Sequence, residues 1–176
     1  MHSIFSRLNN GSSLLSSCLM GLLLAVTLST FVFTAEPQGN LTIGSIRVLE
    51  GRNPRRYNQK QEVGVVRFNV TADLTPLFHW NTKQIFLYLQ AEYNTTEGVQ
   101  NDVVIWDRIV RRKEDASINV VAKDKYHLRD VSRTFRGVPH AQYALKYNIM
   151  PYVGVLTYGE VARTSEAVVF PKLGEL

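Results

Sequence analysis

The sequence predicts an all-β fold: an antiparallel β-sandwich preceded by a single N-terminal transmembrane helix. Three observations carry this. One uncharged run fills residues 8–35. From residue 36 onward, apolar residues return at every second position in short bursts, the period of strands with one buried face. Between the bursts stand Pro, Gly, Asn and charged clusters, the punctuation of turns in a sandwich.

The apolar core of the uncharged run, residues 14–35, is 22 residues long. As a helix it spans about 33 Å at roughly 1.5 Å per residue, which matches a hydrocarbon core of about 30 Å. A secretory h-region is shorter, about 7–15 residues. Arg7 precedes the run, Glu36 follows it and the next basic residue is Arg47. The positive-inside bias therefore puts residues 1–13 in the cytosol and residues 36–176 across the membrane as one domain. Cleavage is a rival reading. Ala35 offers a small residue at a cut, but bulky Phe33 spoils the small-x-small pattern. Thr27 and Ser29 are a better pair, yet cutting there leaves an apolar new N-terminus. Length and flanks favour the retained anchor; the residues alone leave both open.

Nineteen of the 20 basic residues and all 15 acidic ones lie beyond the run, so the domain is mildly basic. Its basic residues are scattered, apart from clusters at 52–56 and 111–113. That suits a solvated face, with the lipid bilayer as neighbour, and not a nucleic-acid site. The only cysteine, Cys18, sits in the apolar run. The domain therefore holds no disulfide and no cysteine-based zinc site, and packing must stabilise it.

Taken in order, residues 41–49 form a first strand and the polar, Pro-containing residues 53–62 a loop. Val66, Phe68, Val70, Ala72 and Leu74 then share one face of a strand, with Arg67, Asn69, Thr71 and Asp73 opposite. Pro76 breaks the alternation into a turn or short helical corner. Ile85, Leu87, Leu89 and Ala91 resume it, while Phe86 and Tyr88 lie on the other side with Gln84, Gln90 and Glu92. Apolar residues on both sides mark a central strand, or one whose outer face meets a partner. A Gly-containing loop leads to a β-branched strand at 102–110, and a charged turn to short strands at 117–122 and 125–130. Tyr143, Leu145, Tyr147 and Ile149 alternate against Ala144, Lys146, Asn148 and Met150. A Pro–Gly break follows, and 166–171 is the last strand.

The chemistry of an enzyme is hard to find. There is no nucleophile elbow, phosphate loop, dinucleotide fingerprint or zinc-binding H-E-x-x-H. His79, His127 and His140, and Ser45, Ser117, Ser132 and Ser165, are dispersed. A triad assembled in space stays open on spacing alone. Asp124 and Asp130 flank one of the short strands without a diagnostic pattern. No cofactor and no metal is expected. Three N-x-[ST] sequons begin at Asn40, Asn69 and Asn94, and a fourth at Asn10 falls on the cytosolic side. Asn94, in a polar loop, is the leading glycosylation candidate. Asn69, on the polar face of its strand, is the second, and Asn40 stands very near the membrane.

Residues 72–93, "ADLTPLFHWNTKQIFLYLQAEY", resemble the core signature of subunit 3 of the eukaryotic signal peptidase complex. Residues 101–110, "NDVVIWDRIV", are similar to the family's next block. "KYHLRD", "FRG" and "YALKYNIMPYVGVL" follow in family order. Tyr147 stands where the family often has Trp. The resemblance implies a single-pass protein of the endoplasmic reticulum membrane with a lumenal β-sandwich. It implies an accessory subunit, not an enzyme, that supports a separate catalytic serine protease subunit in removing signal peptides. No residue role is carried over. Phe86 and Tyr88 are the candidate partner-facing aromatics; the plainer reading makes them the second side of a core strand. Two rivals remain: a secreted or anchored β-sandwich binding module, and an anchored hydrolase.

Overall fold

A computed structural model describes residues 3–53, 59–95 and 98–174. A long helix, α1 (Ile4–Thr30), leads into eight strands: β1 (Gln38–Asn53), β2 (Gln59–Asp73), β3 (Thr82–Asn94), β4 (Gln100–Val110), β5 (Ser117–Lys123), β6 (His140–Pro151), β7 (Thr157–Arg163) and β8 (Val168–Val169). One sheet has the order β1-β2-β5; the other has the order β4-β3-β6-β7, with β8 paired to β6. Every pairing is antiparallel.

The alternation read from sequence is the core. Val66, Phe68, Val70, Ala72 and Leu74 project from one sheet, and Ile85, Leu87, Leu89 and Ala91 from the other. All nine are fully buried. Phe68 meets the edge of Trp106 at 5.7 Å between ring centroids. Offset or edge-on ring contacts of this kind add to area burial. Because β3 is flanked by both β4 and β6, its outward residues stand in the middle of a sheet face.

α1 is capped by Ser3, whose hydroxyl accepts the Ser6 N–H. It therefore begins at Ile4, ahead of the expected start at 14, and carries Arg7 within it. It ends at Thr30, ahead of the expected 35, because residues 33–35 are taken up by the sandwich. Phe33 stacks on His79, and Ala35 packs against the core. The helix is long and apolar enough to cross a membrane. At 27 residues it is about 40 Å long.

Other strand bounds also move. The expected loop 53–62 shrinks, since β1 runs to Asn53 and β2 starts at Gln59; its centre, with part of the 52–56 basic cluster, lies outside the described residues. Residues 125–130 form no strand. They make only the bridge between Gly64 and Leu128, because two buried carboxylates hold this stretch as a loop. Asp124 accepts the Val66 N–H at 3.1 Å and pairs with His127 Nδ1 at 2.6 Å. Asp130 accepts the Tyr93 hydroxyl at 2.9 Å and the Ser132 N–H at 2.8 Å, and also bonds the Ser132 hydroxyl. β7 was not expected. It is an edge strand with few apolar residues, and its Gly159 leaves room for the Tyr147 ring, since a Cβ there would stand 2.5 Å from the Tyr147 hydroxyl. The strand expected at 166–171 contracts to Val168–Val169.

Burial pushes the Asp130 carboxyl up, but the bonds from Ser132 and Tyr93 outweigh it and hold the group below its ordinary value. A depressed carboxylate stabilises the fold above its unfolded pKa of about 4 and loses that contribution as pH falls through the native value. Asp130→Asn is expected to cost about 2 kcal/mol at neutral pH and to flatten the acid side of the stability curve. Tyr143 is the opposite case. Its hydroxyl is buried with no hydrogen-bond partner among the described residues, so Tyr143→Phe should leave stability unchanged or raise it by up to about 1 kcal/mol. Urea denaturation across pH checks both.

Candidate functional site: the helix–sandwich junction and the outer face of β3

Two regions are candidate sites. The first is where α1 meets the sandwich. Asn81 lies just before β3, after the turn at Thr75–Leu77 that Pro76 starts. Its side chain is buried and makes three hydrogen bonds. Nδ2 donates to Thr30 Oγ1 at 2.9 Å and to the Val153 carbonyl at 2.8 Å, and Oδ1 accepts the Val153 N–H at 3.1 Å. The Asn81 carbonyl accepts the Tyr152 N–H at 2.9 Å. The Asn81 N–H in turn donates to His79 Nδ1 at 3.2 Å. One residue thus ties the last turn of the helix to the loop between β6 and β7.

Two further contacts tighten the joint. His79 and Phe33 stack at 4.9 Å with nearly parallel rings, and burial holds the His79 pKa below its ordinary value. The imidazole is therefore neutral at pH 7 and acts as an acceptor. Gly154, at φ +112°, lies against Thr27; a Cβ there would stand 3.0 Å from Thr27 Cγ2. Positive φ and this close approach together demand glycine. A hollow of about 300 Å³ remains beneath the joint, lined by Phe31, Phe33, His79, Tyr147 and Tyr158 among others.

The second region is the outer face of the β4-β3-β6-β7 sheet. Phe86 and Tyr88 are half-buried there, stacked at 5.5 Å. Across the strands, Phe86 faces Ile109 and Asn148, and Tyr88 faces Asp107 and Lys146. Farther along, Glu92 bonds Lys146 and Arg163, and Arg163 also bonds Glu160 at 2.7 Å. Burial pushes the Glu92 carboxyl up, but Arg163 and Lys146 outweigh it and hold the pKa down. The face thus offers a stacked aromatic pair beside a fixed ion-pair network.

The sequons fall in two places. Asn94 is exposed at the end of β3; its Thr96 lies outside the described residues. Asn69 is exposed on the outer face of the β1-β2-β5 sheet, as is Asn40. The two tripeptides are register partners: Asn40 pairs with Thr71, Leu41 with Val70 and Thr42 with Asn69. His127 and His140 are exposed, and no recorded hydrogen bond among the described residues joins a serine hydroxyl to a histidine. No group of three metal-binding side chains occurs among the described residues.

The order of these parts, an apolar helix followed by a sandwich whose β2–β3 turn and β6–β7 loop clasp the helix end, spans the whole described chain. A family model described as signal peptidase subunit matches residues 1–173. The chain belongs to the signal peptidase subunit family. It is 40% identical over 121 residues to the signal peptidase complex subunit 3 of Saccharomyces cerevisiae, a match covering 68% of this chain and 65% of the yeast protein. It is 32% identical to that of Caenorhabditis briggsae, over 97% of this chain and 95% of the worm protein. The human subunit 3 is 30% identical over 89% of this chain and 87% of its own length. The resemblance read from residues 72–93 and 101–110 is borne out.

The first of those blocks now has a physical content in this family member. It holds the Pro76 turn, His79, Asn81 and the central strand. Sequence reasoning placed His79 in a loop and passed over Asn81, because a single Asn after a Trp carries no local signal. The uncharged run 147–158 was the available pointer, since a loop tip with no charge usually touches something. Asn81→Ala removes three bonds of a buried amide and should cost about 2–3 kcal/mol. Limited proteolysis should then cut residues 31–37 several times faster, with the core strands intact.

Proposed function

We propose that this chain is a non-catalytic accessory subunit of the endoplasmic reticulum signal peptidase complex. The N-terminus faces the cytosol, the apolar run holds the chain in the bilayer, and residues 36–176 form the lumenal domain. It supports a separate catalytic serine protease subunit in removing signal peptides from nascent secretory and membrane proteins. The observation that carries the reading is the joint at Asn81. A membrane-long helix fastened directly to a rigid sandwich is a device for holding something at fixed height above a bilayer, and orientation is what an accessory subunit contributes. Family membership supplies the complex in which this device works.

The protease subunit docks on the outer face of β3, around Phe86 and Tyr88. Aromatic residues in the centre of a face, ringed by satisfied polar groups, are the pattern of an interface anchor. The test is purification of the tagged full-length chain from membranes in mild detergent, with presequence cleavage assayed in the eluate. Co-purification of a serine protease subunit with cleavage activity supports the reading; a chain that elutes alone sinks it. Phe86→Asp or Tyr88→Asp should lower the recovered protease roughly tenfold or more, while Phe86→Leu changes it little. Normal assembly by a folded Phe86→Asp chain would move the interface elsewhere.

Asn94 carries a glycan, and Asn69 is the second acceptor. The expected result is a mobility shift on endoglycosidase treatment of the wild type that Asn94→Gln reduces by one glycan. An unchanged ladder in Asn94→Gln rejects that site, and Asn69→Gln tests the other in the same way.

A further inference from the structure

Three uncharged stretches converge at the helix end. Residues 28–35 and 147–158 contain no ionisable side chain except tyrosine, and residues 74–82 contain only His79, which burial keeps neutral. Apolar and aromatic side chains point outward from this end: Phe31, Val32, Trp80, Tyr152, Val155 and Leu156 are all exposed. Their place along the helix is fixed by the Asn81 bonds to Thr30 and by Gly154 against Thr27. The helix itself is bare of protein from Arg7 to Ala25 and partly covered at Val26, Thr27, Ser29 and Thr30.

That placement has a depth. A hydrocarbon core of about 30 Å takes about 20 residues of helix. Counted from Arg7, the first charge of the helix, the far edge of the core falls near Thr27. Counted instead as residues 14–35, the edge lies higher and the sandwich end would be deeper still. The loop backbone of residues 154–156 resists the deeper placement, because unpaired peptide groups are costly in hydrocarbon. The boundary between headgroups and acyl chains is where Trp and Tyr, apolar in body and polar at the tip, are most favourable.

We infer that the Trp80 corner and the β6–β7 loop form a second membrane contact, seated in the interfacial layer of the same leaflet from which the domain emerges. The sandwich is then held by two elements, a helix through the bilayer and an apolar foot in its surface. One helix alone leaves tilt of the domain free; a foot beside it restrains that tilt. The inference rests on the proposed reading that α1 crosses the membrane.

The chain carries its own probes. Trp80 is 57% exposed and the only other tryptophan, Trp106, is 9% exposed in the core. Cys18, the single cysteine, lies midway along the bare part of the helix. The full-length chain is reconstituted in vesicles of phosphatidylcholine and phosphatidylinositol, with a fraction of the phosphatidylcholine brominated either near the carbonyl or near the methyl end of its chains. The expected result is blue-shifted Trp80 emission that shallow bromines quench more than deep ones and aqueous iodide barely touches. The whole effect should be lost in Trp80→Phe, with Cys18 protected from a water-soluble thiol reagent. Protected Cys18 with Trp80 quenched by iodide and not by lipid overturns the foot while leaving the anchor standing. A reactive Cys18 removes the crossing helix, and the foot with it. In the assembled complex, Leu156→Cys in a Cys18→Ser background carries a fluorophore. Quenching by brominated lipid upholds the contact there; protection from both lipid and iodide means a partner subunit covers the loop, and the inference is wrong.

Discussion

A buried amide that makes three hydrogen bonds, with both of its N–H donors used, governs the architecture. Asn81 donates to the helix and to one loop and accepts from that same loop. Without it, only the Phe33–His79 stack, Ala35 on the core and the Gly154–Thr27 contact would hold the helix end to the sandwich. With it, the helix end becomes part of the sandwich. The cost of burying an amide is met only because all its partners are present together. The joint is therefore cooperative: losing any one partner leaves the others unpaired.

The sandwich offers this joint a firm platform for ordinary reasons. β3 is central, with both faces occupied: aliphatic residues inward, and Phe86, Tyr88 and the Glu92 network outward. A strand with neighbours on both edges and packing on both faces has little freedom, so the turn leading into it holds Asn81 in one position. The buried Asp124 and Asp130 do the same for the long loop between β5 and β6. They replace a ladder with fixed side-chain bonds to β2 and β3.

Much of this was legible in the sequence where one physical rule acted alone. Period-2 alternation is enough to locate β2 and β3 and to say which residues of each share a face, and β-branched residues are enough to locate β4. Length and charge are enough for the helix. Rules in competition were harder to read. β7 contains Gly159, Glu160 and Arg163, residues that suit a turn by composition, and it is a strand only because the Tyr147 ring and the free edge of β6 require one there. Residues 125–130 read as a strand by composition and are a loop because of partners 37 and 58 positions away in the chain. The junction was invisible for the same reason: Thr30, Asn81 and Val153 meet only in three dimensions, and nothing local distinguishes them.

The strand order has a consequence for how the protein is made. β3 acquires β4 as its first neighbour almost at once, through a short connection, but its second neighbour, β6, comes after a detour through β5 in the opposite sheet. Non-local pairings of this kind are slow to close. As the chain emerges from its N-terminus, the central strand waits with one edge unpaired until β6 has appeared. The helix, synthesised first, also receives its Val153 clasp only then. Vectorial synthesis therefore delivers a half-open sandwich beside a finished helix until β6 is in place.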